Sequence, residues 1–159
     1  MQLDDIKTIG VVGAGQMGRG IGQVCATAGY QVLLVDVAEP LLAQAISKIR
    51  AGLDRAAERG NVTQRKTADV LALIHPIAKM DRLHEAQLVI EAIPEDLARK
   101  QALFGDLHRT CQPHAILASN TSSISIAKLA AASGRPDRVI GLHFMNPAPV
   151  MQLVEIVQG

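Results

Sequence analysis

The sequence predicts an α/β domain built on a doubly wound, mostly parallel β-sheet. Three observations carry that prediction. Short β-branched apolar runs alternate along the chain with segments whose apolar residues recur at helical spacing, the pattern of a parallel sheet with covering helices. The first such run leads directly into a glycine-rich turn that opens a helix. Finally, 159 residues with 48% apolar content are enough for one core without disulfides or a structural metal, so residues 1–159 are read as a single domain.

The elements follow in order. The run Thr8 to Val12 is apolar throughout, as in a strand covered on both faces. Met17, Ile21, Val24, Cys25 and Ala28 form a helical stripe that Gly29 ends. Gln31 to Asp36 is a second strand. Pro40 suits a helix start, Leu42, Ala45, Ile46, Ile49 and Leu53 make the buried stripe, and Arg59, Gly60 and Asn61 close it. Thr63 is a candidate cap for a short helix to about Leu73, and the stretch from Ile74 to Asp81 reads as a connection or an edge strand, because Pro76 has no N–H for a ladder. Strand, helix and strand then recur: Leu88 to Ala92, Asp96 to about Cys111, and Ala115 to Ser119. Ser125 is placed to cap a helix through Ala131. Gly134 to Asp137 is a loop, and strands from Arg138 and from Met151 complete the chain.

Composition narrows the function. A formal charge of +1 with no basic stretch argues against nucleic acid or an anionic membrane as the main partner, since both rest on summed positive charge. With aromatic residues at 2%, stacking on bases is scarce as well. No apolar run approaches the ~20 residues of a membrane span, and residues 1–7 lack a secretory pattern, so a soluble, cytoplasmic protein is expected. Cys25 and Cys111 fall on helical stretches without a CxxC or Cys/His cluster. They are expected to be reduced, buried thiols, and no metal site is expected.

The turn Gly13-Ala14-Gly15-Gln16-Met17-Gly18 matches GxGxxG between a strand and a helix. In that setting the first glycine makes the turn, the second lets backbone approach a pyrophosphate, and the third brings helix and strand together. The helix N-terminal amides then face the phosphates. Asp36 ends the second strand 18 residues beyond Gly18, where a carboxylate can accept from both hydroxyls of an adenosine ribose. The same carboxylate repels a 2′-phosphate, and Val37 and Ala38 supply no cation, so NAD is favoured over NADP. A methyltransferase with a similar turn stays open on these residues alone.

Four polar clusters close the later strands: Glu91 to Asp96 with Lys100, Ser119 to Ser123, Gly141 to Pro147, and Glu155 within LVEIV. Ligands of an open parallel sheet bind at these carboxyl ends. With VVGAGQMGRGIGQV they make almost the whole chain resemble the Rossmann-type NAD-binding domain of the 3-hydroxyacyl-CoA dehydrogenases. The resemblance implies that Gly13, Gly15, Gln16, Met17 and Gly18 form the pyrophosphate turn and that Asp36 is the ribose acid. It implies that Ala92, Glu95 and Lys100 line the nicotinamide side, with Asn120 beside them. By the same likeness Ser122 hydrogen-bonds the reacting oxygen, His143 is the catalytic base, Glu155 orients it, and Asn146 lies in the site wall.

The implied reaction needs these residue types. Oxidising a secondary alcohol removes a hydride from carbon and a proton from oxygen, so the hydroxyl requires a base that titrates near neutrality, and a carboxylate behind a histidine fixes its tautomer. On the residues alone His143 is not distinguished from His75, His84, His108 or His114. The substrate implied is an acyl-CoA, with Lys48, Arg50, Arg55, Arg59, Arg65 and Lys66 as candidate cations for it or as a solvated helix face. The family's next domain, helical and carrying dimer contacts, has no counterpart before Gly159. An NAD-binding domain without turnover and a related β-hydroxyacid dehydrogenase, which typically uses a lysine, are the alternatives.

Overall fold

The computed structural model describes residues 3–60 and 66–159. Seven strands, β1 (Thr8–Val12), β2 (Gln31–Val35), β3 (Ile74–Ile77), β4 (Leu88–Glu91), β5 (Ile116–Ser119), β6 (Val139–Phe144) and β7 (Val154–Gln158), form one sheet in the order β3-β2-β1-β4-β5-β6-β7. All neighbours are parallel except β6 and β7. The doubly wound architecture expected from the alternation is therefore present. After β1 the chain builds outward through β2 and β3, then returns to lay β4 on the other side of β1. The order reverses between β1 and β4, and that reversal opens a crevice at their carboxyl ends.

Among the described residues five helices cover the two faces: α1 (Gln16–Thr27), α2 (Glu39–Glu58), α3 (Thr67–Ala72), α4 (Leu97–Thr110) and α5 (Ile126–Ala132). Alternate residues of each central strand point to opposite faces. Val32 and Leu34 join Ile21 of α1, Ile49 of α2 and Val70 of α3 in one core, whereas Leu33 and Val35 join Phe104 and Leu107 of α4 and Leu129 of α5 in the other. Strands buried on both faces explain why β1 and β2 show no polar alternation in sequence. Cys25 and Cys111 are both buried in these cores and free.

The local differences have identifiable causes. The edge strand anticipated around Pro76 is parallel β3, with Pro76 opposite Leu34 on the sheet's outer flank. Thr63, Asn61 and Arg65 lie outside the described residues, and the helix seen after them begins at Thr67 with Lys66 as its N-cap residue. Ser125 does occupy the N-cap of α5 but makes no side-chain capping bond. In the loop that leads into the helix, the Thr121 hydroxyl accepts from the backbone N–H of Ser123 and Ile124, at 3.3 and 2.9 Å. Three short 3-10 turns, Leu3–Asp5, Asp81–Glu85 and Pro136–Arg138, were not expected. The last strand starts at Val154 rather than Met151, because the N–H groups of Val150 and Met151 are held by the carbonyl of Pro147 in a turn.

Candidate active site

The glycine turn sits in the crevice between β1 and β4. Gly13 has φ +104°, and a Cβ there would lie 2.6 Å from the carbonyl oxygen of Ala92, so only glycine fits both the dihedral and the approach of the β4 loop. A Cβ on Gly18 would stand 1.7 Å from the Gly13 carbonyl oxygen; the missing side chain is what lets α1 start so close to β1. Gly15 differs from both. Nothing lies within 4 Å of its absent Cβ, and as N-cap of α1 it supplies no side chain to the first-turn amides. The turn thus presents open backbone at a positive helix end, the arrangement that holds a diphosphate.

Asp36 braces the same turn. Its Oδ2 accepts from the N–H of Ala14 at 2.9 Å and its Oδ1 from the N–H of Ala38 at 3.0 Å, which fixes the carboxylate at the rim of the crevice with lone pairs still available. The neighbouring Val37 is 91% exposed and uncharged, so it offers no cation to a 2′-phosphate. The residues present therefore fit NAD.

Beyond the turn, Met17, Ala92, Glu95, Lys100, Asn120, Ser122, His143 and Asn146 border one cleft of about 330 Å³. Every residue expected on the nicotinamide side and about the reacting oxygen is among them. The antiparallel register of β6 and β7 sets His143 opposite Glu155, and Nδ1 of the histidine lies 2.9 Å from Oε2 of the glutamate. Asn120 Oδ1 accepts from the N–H of Phe144 at 2.8 Å and so ties the end of β5 to the backbone beside His143. Asn146 accepts from the Gln16 side-chain amide at 2.9 Å, joining the loop after β6 to the glycine turn.

Lys100 is not a solvated cation of that wall. It is 1% exposed, with its ammonium 2.6 Å from Oε1 of Glu91 and 3.1 Å from Oε2 of Glu95. Glu91, fully buried at the end of β4, also accepts from the Ser119 hydroxyl at 2.6 Å and the Ile93 N–H at 2.7 Å. Glu95 further accepts from the hydroxyls of Thr121 and Ser123. Partial burial raises the Glu95 carboxyl, but the bonds from Thr121, Lys100 and Ser123 and the charge of Lys100 outweigh it and hold the group below the usual carboxylate range. Glu91, Ser119 and Thr121 are structural members of the site that the sequence reading did not single out. The available signal was a carboxylate closing an otherwise apolar strand, with a lysine nine residues on.

A second, larger groove of about 1150 Å³ runs between α1, α2 and the segment before β7. Lys48, Arg55 and Arg59 line it, as does Arg19, which was not anticipated; Arg50 and Lys66 do not. Among the described residues no group of His, Cys, Asp and Glu could hold a metal ion, and no helix is long and apolar enough to cross a membrane.

The sequence profile of the 3-hydroxyacyl-CoA dehydrogenase NAD-binding domain matches residues 8–159. The chain belongs to this family. Among its relatives, a 3-hydroxybutyryl-CoA dehydrogenase of Mycobacterium tuberculosis is 48% identical over 156 residues, covering 98% of this chain and 54% of the relative. A 3-hydroxyadipyl-CoA dehydrogenase of Escherichia coli is 46% identical over 155 residues, 98% of this chain and 33% of the relative. The crystal structure of (S)-3-hydroxybutyryl-CoA dehydrogenase from Ralstonia eutropha superposes with a TM-score of 0.93 at 42% identity, over 97% of this chain and 54% of that one. The chain thus spans about half the length, or less, of these dehydrogenases. Its cofactor is the NAD of the family's first domain.

Proposed function

We propose that this chain is the cofactor-binding, base-carrying part of an enzyme that interconverts (3S)-3-hydroxyacyl-CoA and 3-oxoacyl-CoA. The observation that carries the reading is the His143–Glu155 pair, 2.9 Å apart, bordering the same cleft as Ser122 and the end of the glycine turn. Bound NAD supplies the hydride acceptor. Glu155 on Nδ1 leaves Nε2 of His143 for the substrate hydroxyl, so the imidazole takes the hydroxyl proton during oxidation and returns it during reduction. Glu155 stabilises the imidazolium formed between. Ser122 donates to the substrate oxygen when negative charge builds there.

The alternative chemistry of the β-hydroxyacid dehydrogenases rests on a lysine. Lys100 is the one lysine among the cleft residues and is tied to Glu91 and Glu95, which favours the histidine reading. The names of the Mycobacterium and Ralstonia relatives support a short acyl chain, and the cationic groove beside α2 is suited to the phosphates of CoA. The same proposal includes a cytoplasmic enzyme. It also includes a helical partner domain, carrying dimer contacts, over the exposed apolar residues Val150, Leu153 and Ile156, which are 72%, 55% and 74% accessible.

The test follows NADH consumption at 340 nm with acetoacetyl-CoA, for this chain alone and with a helical partner domain added. Turnover in either arm supports the assignment. NADH binding without turnover in both arms overturns it.

A further inference from the structure

The part of the cleft lining built on Glu91, Lys100 and Glu95 contains an odd number of charges. Glu91 and Lys100 are both buried, at 0% and 1% exposure, and their 2.6 Å contact cancels them as a pair. Glu95 is the second carboxylate on the same ammonium, at 3.1 Å, and its side chain is 41% exposed. One cation therefore serves two carboxylates, and the set carries one net negative charge whose open end faces the cleft that Glu95 shares with Ser122 and His143. Thr121 and Ser123 hold that carboxylate in place through their hydroxyls.

Hydride transfer requires the cofactor ring to meet the carbon whose oxygen touches His143, so the nicotinamide ring belongs in this cleft if the proposed function holds. The ring is cationic in NAD+ and neutral in NADH. The two forms otherwise share adenine, riboses and diphosphate. We propose that the Glu91–Lys100–Glu95 triad is an electrostatic selector that favours the oxidised cofactor over the reduced one through its single uncompensated negative charge. Glu91 is essential to this arithmetic although it reaches no solvent, because without it Lys100 would neutralise Glu95. The triad is a binding and tuning device; the proton chemistry stays with His143.

This inference rests on the proposed function, and a binding ratio tests it without turnover. The Kd of NADH is read from its own fluorescence, since the chain has no Trp, and the Kd of NAD+ by displacement of NADH. Glu95→Gln keeps the size and shape of the side chain and removes its charge, at the cost of turning one accepting oxygen into a donor. It should raise the ratio Kd(NAD+)/Kd(NADH) about three- to tenfold, as expected for loss of one partly screened unit charge. In the unsubstituted chain, raising salt should move the ratio in the same direction, which tests the charge without any substitution. An unchanged ratio in both measurements, or equal weakening of the two forms in Glu95→Gln, overturns the selector while leaving the dehydrogenase reading intact. Failure of the unsubstituted chain to bind either form overturns both.

Discussion

Nδ1 of His143 and Oε2 of Glu155 are 2.9 Å apart because β6 and β7 run antiparallel with these two residues directly opposed. The pair is a product of sheet register, from residues 12 apart in the chain. In the proposed reaction that carboxylate would fix which imidazole nitrogen carries the proton, and therefore which one would meet the substrate.

Replacing the base and replacing its partner should differ in kind. His143→Gln is expected to lower kcat by about 10³-fold or more with little change in NADH affinity. Glu155→Gln should lower kcat by about 10²-fold, less than for a buried triad acid because Glu155 is 52% exposed and water can take part of its role. Steady-state kinetics beside NADH titration separates the two from a general loss of folding. Full activity in His143→Gln would remove the base from the scheme.

The glycines of the turn make opposite predictions. Gly18→Ala places a methyl group 1.7 Å from the Gly13 carbonyl oxygen, so α1 must shift and stability should fall by about 3 kcal/mol in urea unfolding. Gly15→Ala meets nothing within 4 Å and should unfold like the parent chain. It should nevertheless bind NADH at least about tenfold more weakly, because its methyl group occupies the space a diphosphate needs. A Gly15→Ala chain with unaltered affinity would place the cofactor elsewhere.

Lys100→Met leaves Glu91 buried without its cation. The expected cost is about 3–5 kcal/mol, measured by urea unfolding. Adding Glu91→Gln to that background should recover part of it, because the pair then loses both charges rather than one. Equal destabilisation in the single and double variants would mean that packing, not charge, is what Lys100 provides.

The two thiols set a pH limit on the fold. Burial pushes the Cys25 thiol up to about 12, against a smaller opposing backbone hydrogen bond, and the Cys111 thiol up to about 11, against a smaller opposing effect of Arg135; both start from an ordinary 9.0. In the alkaline range the folded chain keeps protons that the unfolded chain has lost. Stability from this source is thus complete below pH 9.0, declines above it, and is gone for Cys111 beyond about 11 and for Cys25 beyond about 12. Urea midpoints between pH 8 and pH 10.5 should fall on the alkaline side. At pH 8 a thiol reagent such as DTNB should react only at the rate of unfolding.

What could be read in advance was whatever local sterics and short-range patterning control. The glycine turn, the strand before it and the helix after it are each set by residues adjacent in sequence, and all three were legible. His143 and Glu155 could be named through the family resemblance, but residue spacing alone did not separate His143 from four other histidines. The Glu91–Lys100–Glu95 wall was only half visible. Glu95 and Lys100 could be placed on it, whereas in sequence Lys100 looks like any solvated helix lysine and Glu91 like a strand-end acid. Their burial depends on α4 folding back over β4, and that is a tertiary fact. Ser125 looked like a side-chain cap of α5, yet it makes no such bond, and the Thr121 hydroxyl, four residues earlier, orders the loop before the helix through the N–H groups of Ser123 and Ile124 once that loop has folded.

All five residues of β7 are exposed, and this strand lies at the edge of the sheet, held on one side by β6 alone. The dinucleotide turn, by contrast, is packed between β1, β4 and α1 in the middle of the sheet. Edge strands with little buried surface open at lower free energy than central ones. Fraying of β7 would carry Glu155 away from the imidazole without disturbing Gly13, Gly15 or Asp36, so under the proposed mechanism turnover would be lost while the coenzyme stays bound. Hydrogen exchange should find the amides of β7 labelled long before those of β1, and any neighbour that clamps β7 would act as an activator without touching either the nucleotide or the substrate.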